Sequence, residues 1–180
     1  MTRSLAPTEL VIRHAGIKDA AQLADLAART FHDTFAADND PHLMAVHMAR
    51  SYNPDAQRAE ITNPAMRTLL CEIGGCPGAY AQLRPLSVDT PPCVIGSEPC
   101  EIMRFYVDRP WIGRGVAQRL MDAANDEGRS LGAQTIWLGV WEFNPRAIAF
   151  YKKCGFTLVG DHDFLFADVV QTDLVMSRPL

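Results

Sequence analysis

Apolar and polar positions along this chain repeat with two different periods. Leu10 to Arg13 is a short apolar run that predicts a strand, and after Asp19 the positions Leu23, Leu26, Ala27, Thr30 and Phe31 recur at three-to-four spacing, which predicts a helix with one buried face. Asp40 before Pro41 places a capping side chain ahead of a first-turn proline, and Asn53 before Pro54 repeats the signal. Helices are therefore predicted over His42 to Ser51 and again, shorter, after Pro54.

The next pattern is of strand type. Thr68 to Ile73 and Ala79 to Leu83 are apolar runs on either side of Gly74-Gly75-Cys76-Pro77-Gly78, which predicts an antiparallel hairpin. Pro85 to Pro99 includes Pro91 and Pro92, lacks periodicity, and reads as a surface loop inserted over 85–100. Glu101 to Val107 is a strand, Gly113 to Leu131 a long helix stopped by Gly132, and Thr135 to Val140 a strand. Asn144 and Pro145 open a helix that runs to Lys153 and ends at Gly155. Strands follow near Thr157 to Val159, extending toward Phe166, and over Asp173 to Ser177. Too little chain lies on either side of the proline-rich loop for two cores, so 1–180 is expected to be a single α/β domain.

Composition narrows the function classes. With 48% apolar and 21% charged residues the chain is of ordinary globular make-up, which excludes disordered, collagen-like and disulfide-scaffold readings. Lys and Arg number 17 against 21 for Asp and Glu, a net charge of −4 with no basic run, so no nucleic-acid partner is expected. The five cysteines form no C-x-x-C pair, and the five histidines have no metal-ligand spacing; no metal is expected. MTRSLAPTEL lacks a long apolar core, and no stretch approaches the roughly 18 apolar residues of a membrane span. A cytoplasmic setting with free thiols and no membrane association is the expectation.

The chemistry-bearing segment is Arg109-Pro-Trp-Ile-Gly-Arg-Gly-Val-Ala-Gln, after a strand and opening a helix. Gly113 and Gly115 let main chain approach a ligand, and the free N–H groups and positive dipole end of a helix start suit a diphosphate. No Lys follows as in a P-loop, and Gln118 stands where a dinucleotide fingerprint needs a third small residue. The segment resembles the Q/R-x-x-G-x-G/A loop of the GNAT acetyltransferases, read here as Ile112-Gly113-Arg114-Gly115-Val116-Ala117. The resemblance continues upstream through Glu-Ile-Met-Arg-Phe-Tyr-Val and downstream through Trp-Glu-Phe-Asn-Pro-Arg-Ala-Ile-Ala-Phe-Tyr-Lys-Lys-Cys-Gly-Phe. Phe31-His-Asp-Thr-Phe, His162-Asp-Phe and Gln171-Thr-Asp-Leu-Val-Met look like the PaiA-type polyamine N-acetyltransferases.

That resemblance implies a mixed, largely antiparallel sheet of about seven strands flanked by four to five helices. It also implies acetyl-CoA as co-substrate between the strands at 101–107 and 135–140, splayed by a bulge, its diphosphate over 112–117. Ile112 departs from the usual Gln or Arg. Main-chain groups of Tyr106 and Val107 are expected to meet the pantetheine, with Asn144 as a further contact or simply a helix cap. Lys153 either approaches the phosphates or only complements the helix dipole.

The implied reaction is direct acetyl transfer to a small amine, such as spermidine or spermine. Tyr151 would protonate the departing thiolate, and Glu101, eleven positions before Ile112, would accept the amine proton unless it merely pairs with Arg104 or solvent. Phe31, Phe35, Asp33, Asp38 and Asp40 are candidate walls of the amine pocket, with the two rings equally readable as core. Trp111, Trp137 and Trp141 read as packing residues, and Cys154 as an inert thiol. Alternatives are acetylation of a protein N-terminus or lysine, and a non-catalytic acyl-CoA-binding regulator. A homodimer is a further expectation.

Overall fold

The computed structural model describes residues 9–85 and 89–180; the first eight residues, most of the MTRSLAPTEL stretch, and residues 86–88 of the proline-rich loop lie outside it. In chain order the elements are β1 (Leu10–His14), α1 (Ala20–Phe35), α2 (Pro41–Ser51), α3 (Pro54–Thr62), β2 (Arg67–Ile73), β3 (Cys76–Pro85), β4 (Pro99–Val107), α4 (Val116–Ser130), β5 (Thr135–Trp141), α5 (Pro145–Lys153), β6 (Thr157–Phe166) and β7 (Val169–Pro179). The strands form one seven-stranded sheet in the order β1-β2-β3-β4-β5-β7-β6, antiparallel throughout except where β4 runs parallel to β5. A mixed α/β sheet flanked by five α-helices is thus the architecture.

Both faces of the sheet are covered, which is why its central strands read as continuous apolar runs. On one face Leu23, Leu26, Ala27 and Phe31 of α1 pack on Leu70 and Tyr80. On the other, Val116, Leu120 and Ala124 of α4 pack on Leu69, Cys71, Ala81 and Cys100, and Met121 joins Tyr151 of α5 over Ile136, Leu138 and Met176. Successive residues of β2 therefore serve opposite cores, as a period of two requires.

Several predicted boundaries move, each for a local reason. The β2–β3 turn tightens to Gly74-Gly75, whose φ values of +61° and +81° suit a two-residue hairpin turn, and Gly78 drops into a bulge between Cys71–Ala79 and Glu72–Pro77. The long helix begins at Val116 and not at Gly113, because Gly113 and Gly115 hold φ of +77° and +79°, outside the helical region. It stops as predicted: Gly132 is left-handed (φ +82°) and Ala133 N–H returns to the Gly128 carbonyl at 3.0 Å. β6 reaches Phe166, the far limit expected of it, and β7 is longer than predicted, starting at Val169 instead of Asp173, because the polar Gln171 and Thr172 mask its apolar alternation. Among the described residues no helix is long and apolar enough to cross a membrane, and no group of three or more His, Cys, Asp or Glu is placed to hold a metal ion.

Candidate functional site

The site begins where two strands part. β4 and β5 pair only at Pro99–Thr135, Cys100–Ile136 and Glu101–Trp137. Just beyond, Met103 is an extra residue in β4, since Leu83 pairs with Ile102 and Gln82 with Arg104. The bulge turns β4 away from β5, although each stays paired on its outer side, to β3 and β7. The facing edges of Ile102–Val107 and Leu138–Trp141 thereby keep main-chain N–H and C=O groups without ladder partners. A cleft of about 660 Å³ passes through this gap from one face of the sheet to the other.

At the α4–α5 end the cleft meets Trp111, Ile112, Gly113, Gly115 and Ala117. Gly115 is the N-cap of α4 and supplies no side-chain acceptor, so the first N–H groups of the helix remain open to a ligand. A Cβ on Gly113 or Gly115 would meet nothing within 4 Å; it is the left-handed φ that calls for glycine. Ile112 is partly exposed along the cleft. Arg114 and Val116, expected beside the ligand, do not line it: the Arg114 guanidinium lies over the Trp111 ring at 5.5 Å, and Val116 is buried in the α4 core.

Tyr106, Val107, Asn144, Tyr151 and Lys153 all line the cleft. Asn144 caps α5, its Oδ1 accepting from Ala147 N–H at 3.1 Å. Tyr151 stands among Phe105, Phe150 and Phe156, with ring centroids 5.5–6.2 Å away, and no hydrogen bond engages its hydroxyl among the described residues. Burial pushes this phenol well above its ordinary range, so it stays protonated and available to donate. Glu101 is not brought to the cleft. It is buried against Arg84, its register partner on β3, instead of Arg104.

The opposite end is an aromatic chamber. Phe31 stacks on His47 of α2 at 4.9 Å, Phe35 meets Trp141 at 5.7 Å, and Phe164 and Phe166 of β6 complete the wall. Phe31 and Phe35 hold the places expected of them, Phe31 also serving the core. Asp33, Asp38 and Asp40 do not: all three are exposed outside the cleft. Asp33 lies two residues past Phe31, roughly 200° around the helix. Asp40 is occupied in capping α2, accepting from His42 and Leu43 N–H groups. Trp111 and Trp141 line the cleft as well as packing, and Trp137 is buried.

Three polar residues that sequence reasoning passed over stand in this chamber. Arg104 donates to Glu60 and to Gln82, both at 2.6 Å, and lies 5.2 Å from the Tyr52 ring centre, so its charge is matched before any ligand arrives. Burial and the nearby Arg104 hold His47 below the usual imidazole range. Asp173 is the one carboxylate among the described residues that line the cleft, and burial pushes it up to about 6. A lone acid ahead of Leu174-Val175-Met176 was the available sign, but strands commonly begin with such residues.

Residues 21–156 match the Acetyltransferase (GNAT) family. An uncharacterized N-acetyltransferase of Lactobacillus delbrueckii subsp. lactis is 30% identical over 91% of this chain and 93% of its own length. The fold is similar to the crystal structure of the PaiA N-acetyltransferase from Thermoplasma acidophilum in complex with coenzyme A (TM-score 0.77, 18% identity, 96% of this chain and 99% of that one). It is also similar to a GCN5-related N-acetyltransferase from Rhodopseudomonas palustris (TM-score 0.75, 18% identity, 98% and 99%). With its strands parted at a β4 bulge, an open helix start beside them and a family match over most of its length, this chain belongs to the GNAT acetyltransferases and is an N-acetyltransferase.

Proposed function

We propose that the protein transfers the acetyl group of acetyl-CoA directly to a small primary amine. The observation that carries this reading is the single cleft through the sheet, which joins an anion-suited helix start to an aromatic chamber with one acidic group. The parted edges of β4 and β5, with Tyr106 and Val107, offer main-chain partners to the amides of the pantetheine arm. Gly113, Gly115 and the first helical residues Val116 and Ala117 present N–H groups to the diphosphate, with Lys153 and Asn144 beside the arm. Tyr151, protonated and without another hydrogen-bond partner among the described residues, is placed to give its proton to the departing thiolate.

For the acceptor, the aromatic rings attract ammonium groups by cation–π contact. A polyamine such as spermidine or spermine is the acceptor suggested by likeness to the PaiA-type proteins. The walls formed by α1, α2 and the β6–β7 hairpin favour a small amine over a peptide. The deciding measurement is thiol release from acetyl-CoA with spermidine, spermine, simple monoamines and peptides as acceptors. Release driven by small primary amines is expected; release with peptides alone, or acetyl-CoA binding without release, would overturn the reading.

A further inference from the structure

We propose that Asp173 is the group that receives the acceptor's ammonium and takes its proton, in a niche that exists because residue 139 is glycine. The proposal rests on the amine reading above. Asp173 on β7 pairs in register with Trp141 on one side and His162 on the other. Its carboxylate overhangs Gly139, where an added Cβ would lie 3.1 Å from Asp173 Oδ2 and 2.7 Å from His162 Nε2. Any side chain at 139 would fill the space above the β5 main chain. Gly139 itself is two residues past Trp137, the last β5 residue paired with β4, so the carboxylate stands at the point where the strands open. An acyl group held between the strands must pass here.

The surrounding groups leave Asp173 free for this work. Among the described residues no hydrogen bond supports its charged form, and burial is the dominant influence on it. Facing it from β6 is His162; along the cleft the other charged or titratable groups are Arg104 and Tyr106 of β4, His47 of α2 with Tyr52 after it, and Arg146, Tyr151 and Lys153 of α5. Arg104 is already neutralised by Glu60. Among the described residues an incoming ammonium therefore finds one carboxylate in the chamber, Asp173, that no ion pair engages.

In the proposed step Asp173 removes one of the three ammonium protons, and the nitrogen lone pair forms the C–N bond at the thioester carbonyl. The C–S bond breaks, and its electron pair leaves on sulfur, which takes the Tyr151 proton. The second nitrogen proton returns through water to Tyr151, and Asp173 yields the first to solvent. An amine with a pKa near 10.4 arrives almost wholly charged at pH 7, so an enzyme that accepts the ammonium has a large advantage over one that waits for free amine.

The test is the pH profile of kcat/KM for the best amine found in the thiol-release survey. For the unsubstituted protein kcat/KM should rise to about pH 6 and then stay level until the amine's own pKa. In Asp173→Asn it should instead climb about tenfold per pH unit, following the free amine, so that a loss of roughly 10² to 10³ at pH 7 shrinks as pH rises. His162→Gln should keep the level region, and acetyl-CoA affinity should stay within a few fold in both. A climbing profile in the unsubstituted protein overturns the proposal without any variant, as does a pH-independent loss in Asp173→Asn. No transfer to any amine by the unsubstituted protein overturns the amine reading, and the Asp173 role falls with it.

Discussion

Arg84 grips one oxygen of Glu101, its Nε donating to Oε2 at 2.8 Å and its Nη2 lying 2.7 Å from the same atom. The side chains face each other across the β3–β4 register, with Glu101 almost wholly buried. The strand carboxylate that sequence resemblance offers as a base is thus engaged away from the cleft. Glu101→Gln is expected to lower stability by about 1–3 kcal/mol, because the guanidinium loses the nearer and more buried of its two charged partners, while the exposed Asp89 at 3.2 Å remains. Amine turnover should stay within a few fold across the pH range, measured alongside the melting temperature. A turnover deficit that closes with rising pH would return the proton-accepting role to Glu101.

Tyr151→Phe separates an enzyme from a binding protein. Removing only the hydroxyl should lower kcat by about 10- to 10³-fold and leave acetyl-CoA affinity within a few fold, since the ring keeps its contacts with Phe105, Phe150 and Phe156. Unchanged kcat in steady-state kinetics would remove the phenol from the reaction.

The helix start can be dissected by calorimetric titration with acetyl-CoA. Ile112→Gln restores the family side chain without altering any main-chain donor, so the gain should be at most about 0.5–1.5 kcal/mol. Gly115→Val places a branched side chain at φ +79°, which the new residue cannot hold without strain, and should abolish measurable binding. Normal binding by Gly115→Val would show that the left-handed cap is dispensable.

Burial of Asp173 carries a stability cost with a definite sign. Its carboxyl is raised from 3.8 to about 6, so the folded state holds the proton more tightly than the unfolded chain. The resulting destabilisation is complete above about pH 6 and disappears below about pH 4. Asp173→Asn should therefore raise the melting temperature at pH 8, by a free energy of roughly 1–3 kcal/mol, and leave it unchanged near pH 4. An equal gain at both pH values would trace the effect to packing.

Saturating acetyl-CoA should also stabilise the fold, by about 2.7 kcal/mol at 100 times its Kd, with NAD and ATP doing far less. Equal stabilisation by NAD in a thermal-shift series would reduce the helix start to a generic phosphate site.

Much of the site was legible because it is written in local spacing. Asp40-Pro41, Asn53-Pro54 and Asn144-Pro145 mark helix starts through capping and a fixed proline φ, and each opens a helix. Gly113 and Gly115 were legible as a turn leading into a helix, because both take a left-handed φ, although the helix starts after both. Asp33, Asp38 and Asp40 misled because nearness in sequence to Phe31 and Phe35 says nothing about which side of a helix a carboxylate takes. His47 and Arg104 gave no sign, and the sign at Asp173, a lone acid ahead of an apolar run, is one that ordinary strands share, so none of the three stands out until its neighbours are known.

By itself the sequence determined the order and type of the elements and the family loop, all of which depend on residues a few positions apart. Tertiary structure alone decided that β4 and β5 part beyond Glu101 and Trp137, that Arg84 takes Glu101, and that Gly139 leaves room for Asp173 and His162. Those relationships join residues 17 to 36 positions apart through strand register and a one-residue bulge. A register is set by the sum of many weak side-chain contacts across the whole sheet, and a shift of one residue would turn every side chain on the strand to the other face.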